Sequence, residues 1–324
     1  MAPPQSPHPV GVPQDAPGDS SLGAPVELDA GGMARVSLAR RRSPSGALEV
    51  VAIKEMHAHL ARERDARARF RDEARITRRI HHRNVVRVLD VLEERARLRI
   101  VMEYVHGVSL SQLARRLAAR GERMPRRHVT AILCGVLDGL HAAHEARGER
   151  GEELGVVHRD VTPRNVLVGT DGVPRLIDFG IARAAMRDAP ATRTGALRGT
   201  PYYVSPEQLV GGPIRRQTDL YLAGLLLWEM LSGRKLSREV HNEAQFMVLV
   251  SSGRLPPVRT YVRDLEEALE KVLWRAMETR GEDRFATAAE MSAALAAALP
   301  PSTPAELGAW VEALAAPDLA RRAA

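Results

Sequence analysis

Residues 156–180 read VVHRDVTPRNVLVGTDGVPRLIDFG: two valines, a polar loop, an apolar run, a turn, a second apolar run, then Asp178, Phe179 and Gly180. Asp171 and Gly172 between alternating hydrophobics are a strong hairpin signal. With those two residues as the turn, Thr170 faces Val173, and counting outward brings Asn165 opposite Asp178. A slip of a residue or two would still leave them neighbours. The open end of the hairpin therefore holds an amide and a carboxylate side by side, and Asp160 lies upstream in the loop. Such oxygen donors suit Mg²⁺, which keeps waters and completes its shell with phosphates. A second, separate carboxylate nearby can accept a proton or orient a hydroxyl.

Upstream, 26–28, 36–39 and 50–54 read as short strands separated by Gly-rich and Ser-Pro turns, and 85–92 and 98–105 as two more. Lys54 ends the third strand in a chain whose only other lysines are Lys235 and Lys271. Between the strands, 62–80 has helical periodicity, with Phe70, Glu73, Ile76, Thr77 and Ile80 on one stripe. Glu73 breaks that stripe with a charge. An unpaired buried carboxylate costs several kcal/mol, so the position requires a cation, and Lys54 is the candidate. Downstream the pattern is helical: 110–120, 129–144, a nearly all-apolar run at 220–231 with Thr218 and Asp219 as capping residues, 265–279 and 287–299.

In order and spacing, His158-Arg159-Asp160, Asn165 and Asp178-Phe179-Gly180 resemble the catalytic and metal-binding loops of bacterial eukaryotic-like (Hanks-type) serine/threonine protein kinases. The resemblance covers about 26–299. It implies an α+β, two-lobed protein kinase fold with a small β-rich N-lobe containing one helix and a larger, mostly helical C-lobe. It further implies transfer of the ATP γ-phosphoryl group to Ser or Thr hydroxyls of proteins, with ATP and Mg²⁺ as cofactors. By the same resemblance Asp160 accepts or orients the hydroxyl proton, Asn165 and Asp178 hold the metal, and Lys54, paired with Glu73, grips the phosphates. Leu28, Gly31, Gly32, Val36, Ala52, Met102, Glu103, Val105 and Leu167 would surround the nucleotide, with Met102 as gatekeeper and Glu103 and Val105 as hinge backbone contacts. Arg159 would hold a phosphate on the activation segment, where Thr192 and Thr194 are the candidate acceptors. Asp219 would tie to the catalytic-loop backbone, and Arg284 would pair with Glu207 of the Ser205-Pro206-Glu207 motif.

The chain departs from the family pattern at three places. Asp29 and Ala34 occupy two of the three glycine positions of the phosphate loop, and Thr162 stands where a lysine usually steadies the transferred phosphate. A hydroxyl donates a hydrogen bond but brings no charge; Arg164 is the nearest cation in sequence. These departures keep open a second reading, a weakly active or inactive kinase fold serving as a nucleotide-binding scaffold. A small-molecule phosphotransferase is a third, opposed by the segment Gly199-Thr200-Pro201-Tyr202-Tyr203 and the Glu207–Arg284 pair.

Composition bounds the rest. A 44% hydrophobic content is ordinary for a globular chain, while 4% aromatic means that its cores rest on aliphatic residues. The net charge of +7 comes almost wholly from arginine, without interleaved aromatics, which argues against a nucleic-acid partner. A lone Cys134 excludes an internal disulfide and any multi-cysteine metal site. Residues 1–24 are Pro-rich with little to bury and read as a disordered leader, 25–300 as the kinase domain (N-lobe 25–105, C-lobe 106–300), and 301–324 as a short helical tail. With no apolar leader and no run long enough to span a bilayer, the expectation is a cytoplasmic protein that acts on protein substrates and self-associates for trans-autophosphorylation.

Overall fold

The computed structural model describes residues 26–30, 34–43, 45–94, 97–179 and 202–323. It is α+β, with a sheet-based N-lobe and a helical C-lobe. Strands β1 (Val26–Ala30), β2 (Ala34–Arg42), β3 (Leu48–Met56), β4 (Val88–Glu94) and β5 (Arg97–Glu103) form an antiparallel sheet in the order β1-β2-β3-β5-β4. Side chains alternate across a strand. Val51 and Ile53 therefore pack with Ala39 and Val101 on one face, while Met56 joins Ile100, Val88 and Leu98 on the other. Helix α1 (Arg64–Thr77) covers that second face through Ala66, Phe70 and Ala74. Lys54 shares the parity of Met56, which aims it at α1.

The helix is shorter than the 62–80 predicted, because a 3-10 turn precedes it and the chain turns out at Arg78. The strand predicted over 85–92 divides. Val86 N–H donates to the Leu176 carbonyl at 2.9 Å, and Leu176 N–H to that of Asn84 at 2.8 Å. Residues 84–86 thus pair with the C-lobe, and only from Val88 does the segment enter the N-lobe sheet.

A second, three-stranded sheet joins β6 (Gly107–Ser109), β7 (Val166–Gly169) and β8 (Pro174–Leu176). Here the hairpin register differs by one from the expectation. Leu167 pairs with Arg175 and Val166 with Leu176, so Asn165 lies opposite Ile177, whose N–H donates to its carbonyl at 3.0 Å. The turn has three residues, Thr170-Asp171-Gly172, with Gly172 left-handed at φ +69°. That geometry belongs to a three-residue loop rather than the two-residue turn assumed from Asp-Gly.

Helices α2 (Leu110–Arg120), α3 (Arg126–His144), α4 (Pro206–Leu209), α5 (Arg216–Ser232), α6 (Glu243–Ser252), α7 (Glu267–Ala276), α8 (Ala288–Ala298) and α9 (Pro304–Ala323) build the C-lobe. Helix α5 is buried nearly all round and forms the axis of the core. It starts before the predicted cap. Arg215 is the N-cap, and Thr218 sits in the first turn, accepting the Arg215 N–H at 3.3 Å. Helix α6 has no counterpart among the predicted elements: its apolar residues run round the helix, so it shows little amphipathic contrast, and only Phe246 and Val250 are buried. Among the described residues no helix is long and apolar enough to cross a membrane.

Candidate active site

The loop before β7 is anchored from beneath by one carboxylate. Asp219 on α5 is fully buried, and it accepts the N–H of His158 at 2.8 Å and of Arg159 at 2.7 Å. His144 Nε2 lies 2.8 Å from the same carboxylate. These bonds hold Arg159 at φ +65°, a left-handed conformation that costs a non-glycine residue about 1–3 kcal/mol. His158 Nε2 donates to the Ile177 carbonyl at 3.1 Å, and its ring packs 4.7 Å from that of Phe179. The loop and the end of the hairpin are thereby locked together. Asp219→Asn replaces an acceptor with an N–H₂ that faces a backbone donor. The expected result is a stability loss of about 1–3 kcal/mol in urea unfolding, with a fall in turnover from a loosened loop. Unchanged stability would remove Asp219 from this role.

Within the loop, Asp160 and Asn165 are buried together. The Asn165 amide nitrogen donates to the Asp160 carbonyl at 2.8 Å and to its carboxylate at 2.7 Å. Both hydrogens face acceptors, which assigns the amide orientation. The amide oxygen is then the atom able to meet a cation. Thr162 is also buried, and its carbonyl accepts the Asn165 N–H at 2.9 Å. Arg164 is exposed.

Across the cleft, Lys54 Nζ bonds Glu73 at 2.7 Å and Asp178 at 2.7 Å. Burial by itself would lower the lysine pKa, but the charges of Asp178 and Glu73 overcome it and hold the ammonium above its ordinary value. Asp178 adopts φ +57°, a second strained residue at the site. It follows Ile177, whose backbone bond to Asn165 brings the two predicted metal ligands into one place despite the shifted register.

Val36 pairs with Lys54, and Ala52 with Met102. Met102 and Lys54 line the same inner cavity, together with Glu73, Thr77, Ile100 and Asp178. Leu28, Val36, Ala52 and Leu167 are half-buried, and Val105 is buried. Glu103 N–H donates to the Arg87 carbonyl at 3.0 Å, and its carboxylate accepts the Arg87 N–H at 3.0 Å. Gly31, Gly32, Thr192 and Thr194 lie outside the described residues.

Beside the loop, Arg284 meets Glu207 through two parallel bonds of 2.9 Å. Thr218 donates to the same carboxylate at 2.7 Å. Two residues that sequence reasoning does not assign also support the loop. Gln208 Nε2 donates to the Arg159 carbonyl at 3.2 Å; its position in Ser205-x-x-Gln208, a capping-box pattern, is the signal that could have found it. His144, at the end of the helix predicted over 129–144, is a side-chain partner of Asp219.

A family model described as "Protein kinase domain" matches residues 26–291. The chain is 36% identical over 299 residues to the tyrosine-protein kinase MasK of Myxococcus xanthus, covering 91% of this chain and 46% of that protein. To the serine/threonine-protein kinase Pkn1 of the same species it is 34% identical over 276 residues, covering 84% and 37% respectively. It spans less than half the length of both. The crystal structure of the Mycobacterium tuberculosis PknI kinase domain superposes with a TM-score of 0.63 at 25% identity, covering 86% of this chain and 96% of that one. A matched family model over most of the chain, a two-lobed fold and a lysine–glutamate pair facing a His-Arg-Asp loop agree: the chain belongs to the protein kinase domain family, among the bacterial Hanks-type kinases.

Proposed function

We propose that this chain is an ATP-dependent protein kinase that phosphorylates Ser or Thr hydroxyls of protein substrates. The observation that carries the reading is the joint placement of Lys54, Glu73 and Asp178 in one ion-paired cluster, beside Asp160 held by Asn165. In this reading Asp160 takes the proton of the acceptor hydroxyl as its oxygen bonds to the γ-phosphorus of ATP and the bond to the leaving ADP breaks. Lys54, kept charged and aimed by Glu73, binds the non-transferred phosphates. The Asn165 amide oxygen and the Asp178 carboxylate are hard oxygen donors and fit Mg²⁺. When bound, the metal supplies charge neutralisation on the phosphates. The residues contribute mainly by positioning and electrostatics.

Regulation by phosphorylation of Thr192 or Thr194 with Arg159 as the receiving cation, trans-autophosphorylation between copies and a cytoplasmic location complete the proposal. Acceptor chemistry has a second reading: the relative MasK carries the name of a tyrosine kinase. The test is incorporation of labelled phosphate from Mg²⁺·ATP by wild type and by Asp160→Ala, followed by phosphoamino-acid analysis. The expected result is phosphoserine or phosphothreonine in the wild type and a loss of about 10²–10⁴-fold in the variant. Phosphotyrosine alone would move the acceptor class. Equal background incorporation in both proteins, with nucleotide binding retained, would favour the scaffold reading suggested by Thr162.

A further inference from the structure

Helix α9 begins beyond residue 291, where the match to the kinase family model ends, yet it is seated on the hairpin that carries the cation-facing residues. It starts with a reciprocal cap: Thr303 Oγ1 accepts the Glu306 N–H at 3.2 Å, and Glu306 Oε2 accepts the Thr303 N–H at 2.7 Å. One face buries Leu307, Val311, Leu314 and Leu319 against the C-lobe core, and near its far end Asp318 pairs with Arg116 of α2 at 2.5 Å.

Its contact with the hairpin is backbone on backbone. A Cβ at Gly308 would stand 2.2 Å from the Thr170 carbonyl oxygen, and one at Gly172 would stand 1.9 Å from the Pro304 carbonyl oxygen. Glycine within a helix is about 1 kcal/mol less favourable than alanine, and at Gly308 only glycine admits the approach. The turn it touches, 170–172, closes the two strands whose other ends carry Asn165 and Asp178. Those strands are short: β7 has four residues and β8 three. From Thr170 to Asn165 is five residues and from Gly172 to Asp178 six, so at about 3.3 Å per residue a shift of the turn is delivered over about 16–20 Å.

We propose that α9 is a positioning element of the active site: through the Gly172–Gly308 contact it fixes the hairpin and hence the placement of Asn165 and Asp178 towards the Mg²⁺-bound nucleotide. The proposal rests on the kinase reading above. It is tested in the full chain with Gly308→Ala and Gly308→Val, because Gly172 is itself left-handed and a substitution there would strain the turn independently of α9. Leu319→Ala serves as a control, since it loosens α9 far from the hairpin. Two readouts are taken: hydrogen exchange of the amides of residues 166–176, and the Mg²⁺ concentration for half-maximal binding of a fluorescent ATP analogue. The expected result is faster hairpin exchange and a roughly 10–100-fold higher Mg²⁺ requirement in the glycine variants, with Leu319→Ala close to wild type in both. Unchanged hairpin exchange in the glycine variants, or an equal shift in the Leu319→Ala protein, overturns the proposal. A wild-type chain that binds no nucleotide at any Mg²⁺ concentration overturns the kinase reading instead, and this role with it.

Discussion

Replacing Lys54 by methionine is expected to lower phosphoryl transfer by roughly 10²–10³-fold, the range lost when one preorganised electrostatic contact to the developing charge is removed. The reason lies in the charges around it. Lys54 is bonded at 2.7 Å to both Glu73 and Asp178, and Glu73 is buried with only 8% of its side chain exposed. Without the ammonium, two carboxylates face each other across an uncharged side chain. Removing one partner of a buried pair costs about 3–5 kcal/mol; Asp178, with a more exposed side chain, relaxes into solvent and places the result near the lower end. The double variant Lys54→Met, Glu73→Gln should recover much of that stability and none of the activity. That split is the diagnostic, because a purely structural lysine would regain both. Linkage gives a further check. The folded pKa of Lys54 is raised above its ordinary value of 10.5. Its contribution to stability is thus complete below that value and fades only as pH rises through the higher folded one. Activity measured between pH 6 and 9 should show no limb from Lys54. A Lys54→Met protein with turnover within threefold of wild type would remove the residue from the site.

The Lys54–Glu73 pair is legible in the sequence because a charge inside a buried helical stripe has to be matched. The same logic stops at Asp178. Nothing local says that a residue 124 positions away shares the lysine, since only the closing of the two lobes creates that contact. The hairpin shows where pattern reading is weakest. Asp171-Gly172 does mark the turn, but whether Gly172 closes a two- or a three-residue loop depends on its φ of +69°, which no periodicity encodes. The two residues predicted to hold the metal stay near neighbours, because the one-residue slip leaves Asn165 beside Ile177 and so one residue from Asp178. The strand predicted over 85–92 fails for a related reason. Its apolar residues announce extended chain but not which sheet receives each part, and the Asn84–Leu176 bonds draw its start into the C-lobe. His144 carries no signal at all: an imidazole on a helix face reads the same whether it packs or bonds a buried carboxylate.

Arg284→Met is expected to destabilise the C-lobe by about 3–5 kcal/mol, the second of the two largest effects and one that needs no substrate to measure. Arg284 is 3% exposed and satisfies five contacts: both Glu207 oxygens at 2.9 Å, and the carbonyls of Glu278, Gln217 and Thr279 at 2.7, 2.8 and 3.1 Å. Its guanidinium also lies 4.8 Å from the Tyr221 ring. A planar fork meets this set of acceptors and an ammonium cannot. Arg284→Lys should therefore recover only part of the loss. Charge alone would restore most of it, so a lysine variant as stable as wild type would show that geometry is not what holds the pair. Acid titration reads the partner. Burial by itself would raise the Glu207 pKa, but the bonds and charge of Arg284 outweigh it and keep the carboxyl below its ordinary value of 4.5. A depressed folded pKa adds stability that is complete above the unfolded value and is lost as pH falls from there through the folded one. Wild-type stability should thus drop below about pH 4.5 by more than that of Glu207→Gln, which carries no such proton. Glu207 lies in α4, next to the Gln208 that holds the Arg159 carbonyl. Loss of the pair should for that reason reach the catalytic loop as reduced turnover at temperatures where the fold itself persists.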